Sequence, residues 1–256
     1  MELSFDIRLA SAYKSPSQRT RVLTESWVRE QMYCPSCGSS SLDKYPNNTP
    51  VGDFYCAQCK EDYELKSKRN AFGSKLVDGE YDAMMRCLRS GEVPNIFALT
   101  YDVLKGRVLD FIVIPNHFFI PAIIEKRKPL GKTAKRADWI GCNILIHKIP
   151  QAGRVNIVSE GKTIEKPIVL KAWKRTLFLR EQAKLEKRGW IVDVMTCIER
   201  IEQPEFTLSD VYQFESELGR LHPGNRHIRD KIRQQLQFLR NIGYLDFMGN
   251  GRYVLK

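Results

Sequence analysis

Cys34-Pro35-Ser36-Cys37, then Asp53-Phe54-Tyr55-Cys56-Ala57-Gln58-Cys59, then Glu64-Leu65-Lys66, is the stretch that decides this fold, because it interleaves two sites that need each other. Cys34/Cys37 and Cys56/Cys59 are two CxxC knuckles, and paired knuckles bind zinc. Four thiolates satisfy a tetrahedral ion completely, so such a site is structural, with no position open to water. Asp53 stands just before the second knuckle and Glu64-Leu65-Lys66 just after it. An acidic residue followed by Glu-x-Lys is the order used by metal-dependent phosphodiesterases. A zinc staple that folds residues 53–66 into a hairpin would bring Asp53 beside Glu64.

Taken alone, the triplet is weak, since an acidic-x-Lys match arises by chance about twice in a chain of this size. Glu160-Gly161-Lys162 is such a match, but its glycine and polar neighbours predict a turn. Glu64 and Lys66 instead lie two apart on a predicted strand. They therefore share one face, while Leu65 points into the core. With Asp53 on the paired strand, two carboxylates and an ammonium converge, a set of hard oxygen donors suited to Mg²⁺. Asp53 and Glu64, with the Leu65 carbonyl, are the predicted catalytic metal ligands. Lys66 would orient or help deprotonate the attacking water and stabilise developing charge. The bland alternative is an exposed Glu/Lys pair on a solvated strand.

The composition fits this chemistry. The 256 residues suffice for a buried core and two domains. A net charge of +11 on a chain that is 43% hydrophobic describes a folded basic protein, whose commonest partner is nucleic acid. The seven cysteines, four of them in CxxC pairs, favour zinc in a reducing cytosol over disulfides. Cys87, Cys142 and Cys197 default to small buried hydrophobes. Neither a signal peptide nor a membrane-spanning run is expected, so the predicted location is cytoplasmic.

Ser15-Pro16-Ser17-Gln18 predicts a capped helix to about Gln31, with Leu23, Trp27 and Val28 turned inward. Glu25 on that helix is expected to face solvent, with an acid supporting the metal site as the alternative. Residues 32–50 are loop-like, Val51–Cys56 and Asp62–Ser67 form the hairpin, and Asp78–Leu88 is helical. Ile96–Tyr101 and Arg107–Pro115 are strands, and a further strand pair is expected within 142–170. Residues 126–136 carry six basic residues and no acidic one, in a loop that ends against Trp139. Lys132, Lys135, Arg136 and Trp139 are candidate DNA contacts there, against a plain solvated loop and a core aromatic.

Farther on, one helix is predicted from Leu208 to Leu221 and another from His227 to Ile242. A hairpin around Gly249-Asn250-Gly251 follows. Helix, turn, basic helix, hairpin is the order of a winged helix, whose basic helix enters a major groove. Asn225, Arg226, His227, Arg229 and Arg233 are its candidate DNA-binding residues. A helical dimerisation module would use the same elements. The division is placed at 180/181: a nuclease domain with a zinc site over 1–180 and a winged helix over 181–256.

Together these residues resemble the DpnI family of methylation-dependent restriction endonucleases. The resemblance runs through Ser17-Gln18, Leu23-Thr24-Glu25, Asp53-Phe54-Tyr55-Cys56, Glu64–Lys68, Trp139–Asn143, Arg188-Gly189-Trp190, Glu205–Leu208 and Lys231–Gln237. It implies an α/β PD-(D/E)xK nuclease domain with an inserted structural zinc, followed by a methylation-sensing winged helix. It also implies Mg²⁺-dependent, blunt cleavage of double-stranded DNA at G-A-T-C containing N6-methyladenine. Asp53, Glu64 and Lys66 match the family's catalytic positions, and Trp139 matches a tryptophan used near the methylated bases. Gly52 stands where the motif's name has proline, a position that does no chemistry. The expectation is therefore a monomeric, methyl-directed type II deoxyribonuclease. A non-catalytic zinc-ribbon and winged-helix regulator, or a structure-selective repair nuclease, is the alternative.

Overall fold

A computed structural model describes residues 1–46, 49, 52–182 and 184–256, and the structural statements below concern those residues. Val51, the predicted first residue of the hairpin, lies outside them. The chain opens with α1 (Pro16–Gln31), whose first-turn proline is pre-set for helix. Strands β1 (Asp43–Lys44), β2 (Phe54–Tyr55), β3 (Asp62–Arg69) and β4 (Lys75–Glu80) follow. Helix α2 (Tyr81–Ser90) stops at Gly91, which takes a left-handed φ of 76°. Next come β5 (Asn95–Asp102), β6 (Arg107–Ile114), β7 (Ile124–Lys126), β8 (Gly141–Leu145), β9 (Val155–Ser159) and β10 (Lys162–Thr163). Helices α3 (Lys166–Lys174) and α4 (Leu185–Glu199) lead into β11 (Glu205–Thr207), α5 (Leu208–Tyr212), α6 (Glu215–Leu221) and α7 (Ile228–Asn241). The hairpin β12 (Leu245–Gly249) and β13 (Arg252–Leu255) ends the chain.

The main sheet has the order β1-β2-β3-β5-β6-β9-β10, with β3 and β5 parallel and its other pairs antiparallel. Strand β5 is buried along all but its last residue and on both faces, as a central strand should be. Its alternate residues serve two cores. Phe97, Leu99 and Tyr101 join Trp27 and Val28 of α1 and Trp173 of α3 on one face. Ile96 and Ala98 join a second core on the other face. That second core is built with the sheet β4-β8-β7 and runs on into the C-terminal helices, where Trp190, Val194 and Ile198 of α4 share it with Phe118, Ile120 and Ile149. The architecture is a mixed α/β N-terminal domain followed by a helix-turn-helix domain whose hairpin is extended by β11.

Three local expectations need correction. The Ser15 capping box is absent: its hydroxyl meets Ser17 Oγ at 2.9 Å and caps no backbone amide. Asp78 opens no helix but lies on β4, where pairing with β8 overrides the helical preference of the local sequence. The predicted helix 208–221 is two, broken at Gln213–Phe214, with Thr207 and Asp210 forming a capping box at its start. The strand pair expected within 142–170 is present as β9 and β10, which pair antiparallel through Ser159↔Lys162 and Val158↔Thr163, while residues 166–174 are helical. Glu160 and Gly161 form the expected turn, with φ of 50° and 69°.

Candidate nuclease site, zinc cluster and DNA-facing elements

Each cysteine knuckle closes on itself through a backbone turn. Gly38 N donates to Cys34 O and Lys60 N to Cys56 O, at 2.8 and 2.9 Å. Both donors sit at positive φ, 83° and 61°. The turns aim all four thiols at one point, with every pair of Sγ atoms within 4.8 Å. Cys34–Cys59 and Cys37–Cys56 are separated by 3.5 and 3.6 Å. Zinc–sulfur bonds of about 2.3 Å in a tetrahedron place the sulfurs about 3.8 Å apart, so the cluster is the size of a zinc site. The buried Cys34 Sγ lies 3.2 Å from the Tyr63 hydroxyl, which stacks its ring on Phe97 at 4.5 Å. Tyr63 immediately precedes Glu64 on β3, so the cluster is anchored to the strand that carries the acidic site.

The hairpin between β2 and β3 has the register Phe54↔Tyr63 and Tyr55↔Asp62. It brings Asp53 to the edge of β3: Asp53 N donates to Tyr63 O at 2.9 Å, and Asp53 Oδ2 accepts from Leu65 N at 2.8 Å. Among the described residues, pairing with β2 ends there. Because Leu65 N points to that edge, its carbonyl does too. The parallel register Glu64↔Ile96 and Lys66↔Ala98 puts Glu64 and Lys66 on the face of the second core, with Leu65 on the other. Asp53, Glu64 and Lys66 thus meet at one corner of the sheet.

A third carboxylate stands there that the sequence reasoning missed. Lys66 Nζ lies 2.5 Å from both Glu64 Oε1 and Asp78 Oδ1. The only signal for Asp78 would have been the β4 strand, which its helix-like surroundings hide. Glu25, expected to be exposed, is instead buried and bonded to Arg21 at 2.5 Å and Lys44 at 2.7 Å. Helix α1 packs that side of the sheet, so only a paired carboxylate is tolerated on its inner turn.

Burial raises the Asp53 pKa above its ordinary value, and Glu25 adds to this against the pull of the Leu65 amide, Lys66 and Arg21. Burial also raises Glu64, with Asp78 and Asp53 adding while Lys66 opposes. For Lys66, burial works to lower the pKa, but the two carboxylates outweigh it and hold the ammonium above its ordinary value. A raised carboxylate pKa means that the folded state binds the proton more tightly than the unfolded chain. The stability due to Asp53 is therefore full in acid and lost as pH rises from the ordinary carboxylate pKa through the raised one. Asp53→Asn should accordingly melt higher than the wild type at pH 7 without divalent metal. The difference should close toward pH 3. Equal melting at pH 7, or a gap that widens in acid, would contradict this.

The basic loop leaves β7 and re-enters β8, and Asp78 pairs with Cys142 next to its base. Its neck is closed by Arg127 N to Gly141 O at 2.9 Å and Leu130 N to Trp139 O at 3.0 Å. Trp139 folds onto this neck: a Cβ on Gly141 would meet its ring at 2.8 Å, so only glycine fits beneath it. Lys132, Lys135 and Arg136 are exposed and form no ion pair among the described residues. The strand register brings the neck of the loop to the Lys66 corner. Asn225 to Arg233 lie at and just before the start of α7.

There, Asn225 Oδ1 accepts from His227 N at 2.7 Å, a local turn that starts the helix. Arg229 donates to Glu215 at 2.7 Å and lies 5.0 Å from the Tyr212 ring centre. Arg233 pairs with Asp230, and Arg226 and His227 are exposed. Ile232, Leu236 and Leu239 bury the opposite face. The helix therefore shows solvent a polar face rich in arginine, several of whose charges are paired within the domain.

An α/β domain with a cysteine cluster and an acidic corner, joined to a helix-turn-helix, defines a DNA-directed class of protein. Residues 1–182 match the DpnI model of the Dam-replacing family, and residues 186–254 match the Dam-replacing HTH domain. The chain belongs to the Dam-replacing family. At that level it is a methylation-dependent restriction enzyme with a DNA-binding HTH domain. No helix among the described residues is long and apolar enough to cross a membrane.

Proposed function

We propose that the chain is a Mg²⁺-dependent endonuclease that hydrolyses both strands of duplex DNA at G-A-T-C sites carrying N6-methyladenine. The observation that carries this is the meeting of Asp53, Glu64 and Lys66 at the edge of β3, in a chain of this family. Asp53 commits Oδ2 to the Leu65 amide, which leaves Oδ1 for a cation. With Glu64 and the Leu65 carbonyl it offers the hard oxygens that Mg²⁺ takes. Bound there, Mg²⁺ would neutralise charge on the phosphate and lower the pKa of the attacking water.

The chain's own residues do the rest. Asp53 is held rigid by the Leu65 amide, so its free oxygen meets the ion without reorganising. Lys66 donates to the water and to the phosphoryl oxygens where charge develops. Lys132, Lys135 and Arg136 hold the backbone, with Trp139 beside the methylated base. Asn225, Arg226, His227, Arg229 and Arg233 bind DNA from the winged helix, after the Arg229–Glu215 and Arg233–Asp230 pairs open to phosphate or guanine. The four cysteines hold one structural zinc. We place the domain division at 180/181 and take the enzyme to act as a cytoplasmic monomer.

The test is to incubate full-length protein and Mg²⁺ with one plasmid prepared with and without adenine methylation. Cutting confined to the methylated plasmid at G-A-T-C is the expected result. Equal cutting of both, or of neither, would refute the assignment. One methyl in an apolar pocket discriminates by roughly 1–3 kcal/mol. Two methyls on a symmetric site should therefore give a large preference, and a hemimethylated duplex an intermediate rate.

A further inference from the structure

We infer that Asp78 is a positioning residue for Lys66, a carboxylate from the second sheet that keeps the ammonium over the scissile phosphate when Glu64 turns to the metal. The inference rests on the active site proposed above. Its basis is geometric. Lys66 Nζ is shared between Glu64 Oε1 and Asp78 Oδ1 at 2.5 Å each. Glu64 is also the proposed metal ligand, so the ion competes with the lysine for that carboxylate. Asp78 is then the partner left to hold Lys66.

Asp78 is built for a fixed contact. Its side chain is 6% exposed, against 31% for Glu64. The ladder between β4 and β8 slips between Asp78 and Glu80, which leaves Gly79 without a partner in the register. A bulge of this kind re-aims a side chain. Gly79 N then donates to Asp78 Oδ1 at 2.7 Å, locking the oxygen that accepts from Lys66. That oxygen is therefore committed to two donors. The oxygens of Asp53, Glu64 and Asp78 also form no metal-sized group: among the described residues the four cysteines alone qualify. Two carboxylates are left for the ion and one for the lysine.

The experiment compares wild type, Asp78→Asn, Asp78→Glu and Lys66→Ala as full-length proteins on a fully methylated G-A-T-C duplex. Single-turnover rate against Mg²⁺ concentration, duplex affinity in Ca²⁺, and melting temperature are measured for each. Asn removes the charge, while Glu keeps the charge and displaces it by a methylene. Both should slow cleavage, by about 10-fold to 100-fold, as expected when a reacting group is misplaced by an ångström. Duplex affinity and the half-saturating Mg²⁺ concentration should stay unchanged. A merely structural ion pair predicts a normal rate for Asp78→Glu, and that result overturns the inference even if Asp78→Asn fails to fold. A raised Mg²⁺ requirement in either variant also overturns it, because Asp78 would then be a metal ligand. If Lys66→Ala cuts normally, the proposed active site itself is wrong. If Lys66→Ala is dead while the Asp78 variants cut at the wild-type rate, only the role of Asp78 falls.

Discussion

Lys66→Ala is expected to lower the rate of DNA cleavage by roughly 10³-fold or more while leaving affinity for the methylated duplex within a few-fold of wild type. The ammonium acts on charge that develops during phosphoryl transfer, so its loss is felt in the transition state more than in the bound complex. The substitution has a second consequence visible in the structure. It leaves the Glu64 and Asp78 carboxylates facing each other at a partly buried corner, without the cation between them. Breaking a buried charge pair is destabilising. Lys66→Gln, which keeps an N–H donor between the carboxylates, should therefore melt closer to wild type yet remain inactive. Glu160→Ala, in the turn between β9 and β10, should cut normally although Glu160-Gly161-Lys162 has the same letters. Cleavage by Lys66→Gln at the wild-type rate, or loss of cleavage in Glu160→Ala, would move the active site elsewhere.

Removal of the four-thiolate metal is expected to unfold the hairpin, and with it the acidic corner, before it affects chemistry directly. One zinc per chain should be found by elemental analysis of protein purified without chelator. Structural zinc of this kind binds with an apparent free energy on the order of 10–16 kcal/mol at pH 7, as large as the whole stability of a typical domain. Among the described residues between the inner cysteines, the regular structure is the two-residue strands β1 and β2, little to hold that segment in place without the metal. Cys56→Ser should thus lose soluble folded protein. A partly folded fraction should lose activity in step with its zinc. A zinc-free protein with native melting and full activity would refute the assignment.

Paired CxxC knuckles, Asp53 ahead of Glu64-Leu65-Lys66, and apolar runs at strand and helix spacing are local facts, and they were legible because zinc geometry, strand parity and helix periodicity each act over a few residues. The α/β domain, the helix-turn-helix and the cysteine cluster follow from them. Family membership was legible for the same reason, in runs such as Lys231–Gln237. What the tertiary structure decided is whatever depends on partners distant in sequence. Asp78 looks helical in its own neighbourhood, yet pairing with β8 makes it part of a strand and brings it to Lys66. Glu25 looks like an exposed helix residue, yet the sheet beneath α1 buries it and supplies Lys44 as a counter-charge. Strands β8 and β9 are neighbours in sequence, yet they belong to different sheets, because the chain crosses from one core to the other between them. Short-range stereochemistry selects the elements. Long-range pairing and the cost of leaving a buried charge alone select which side chains meet.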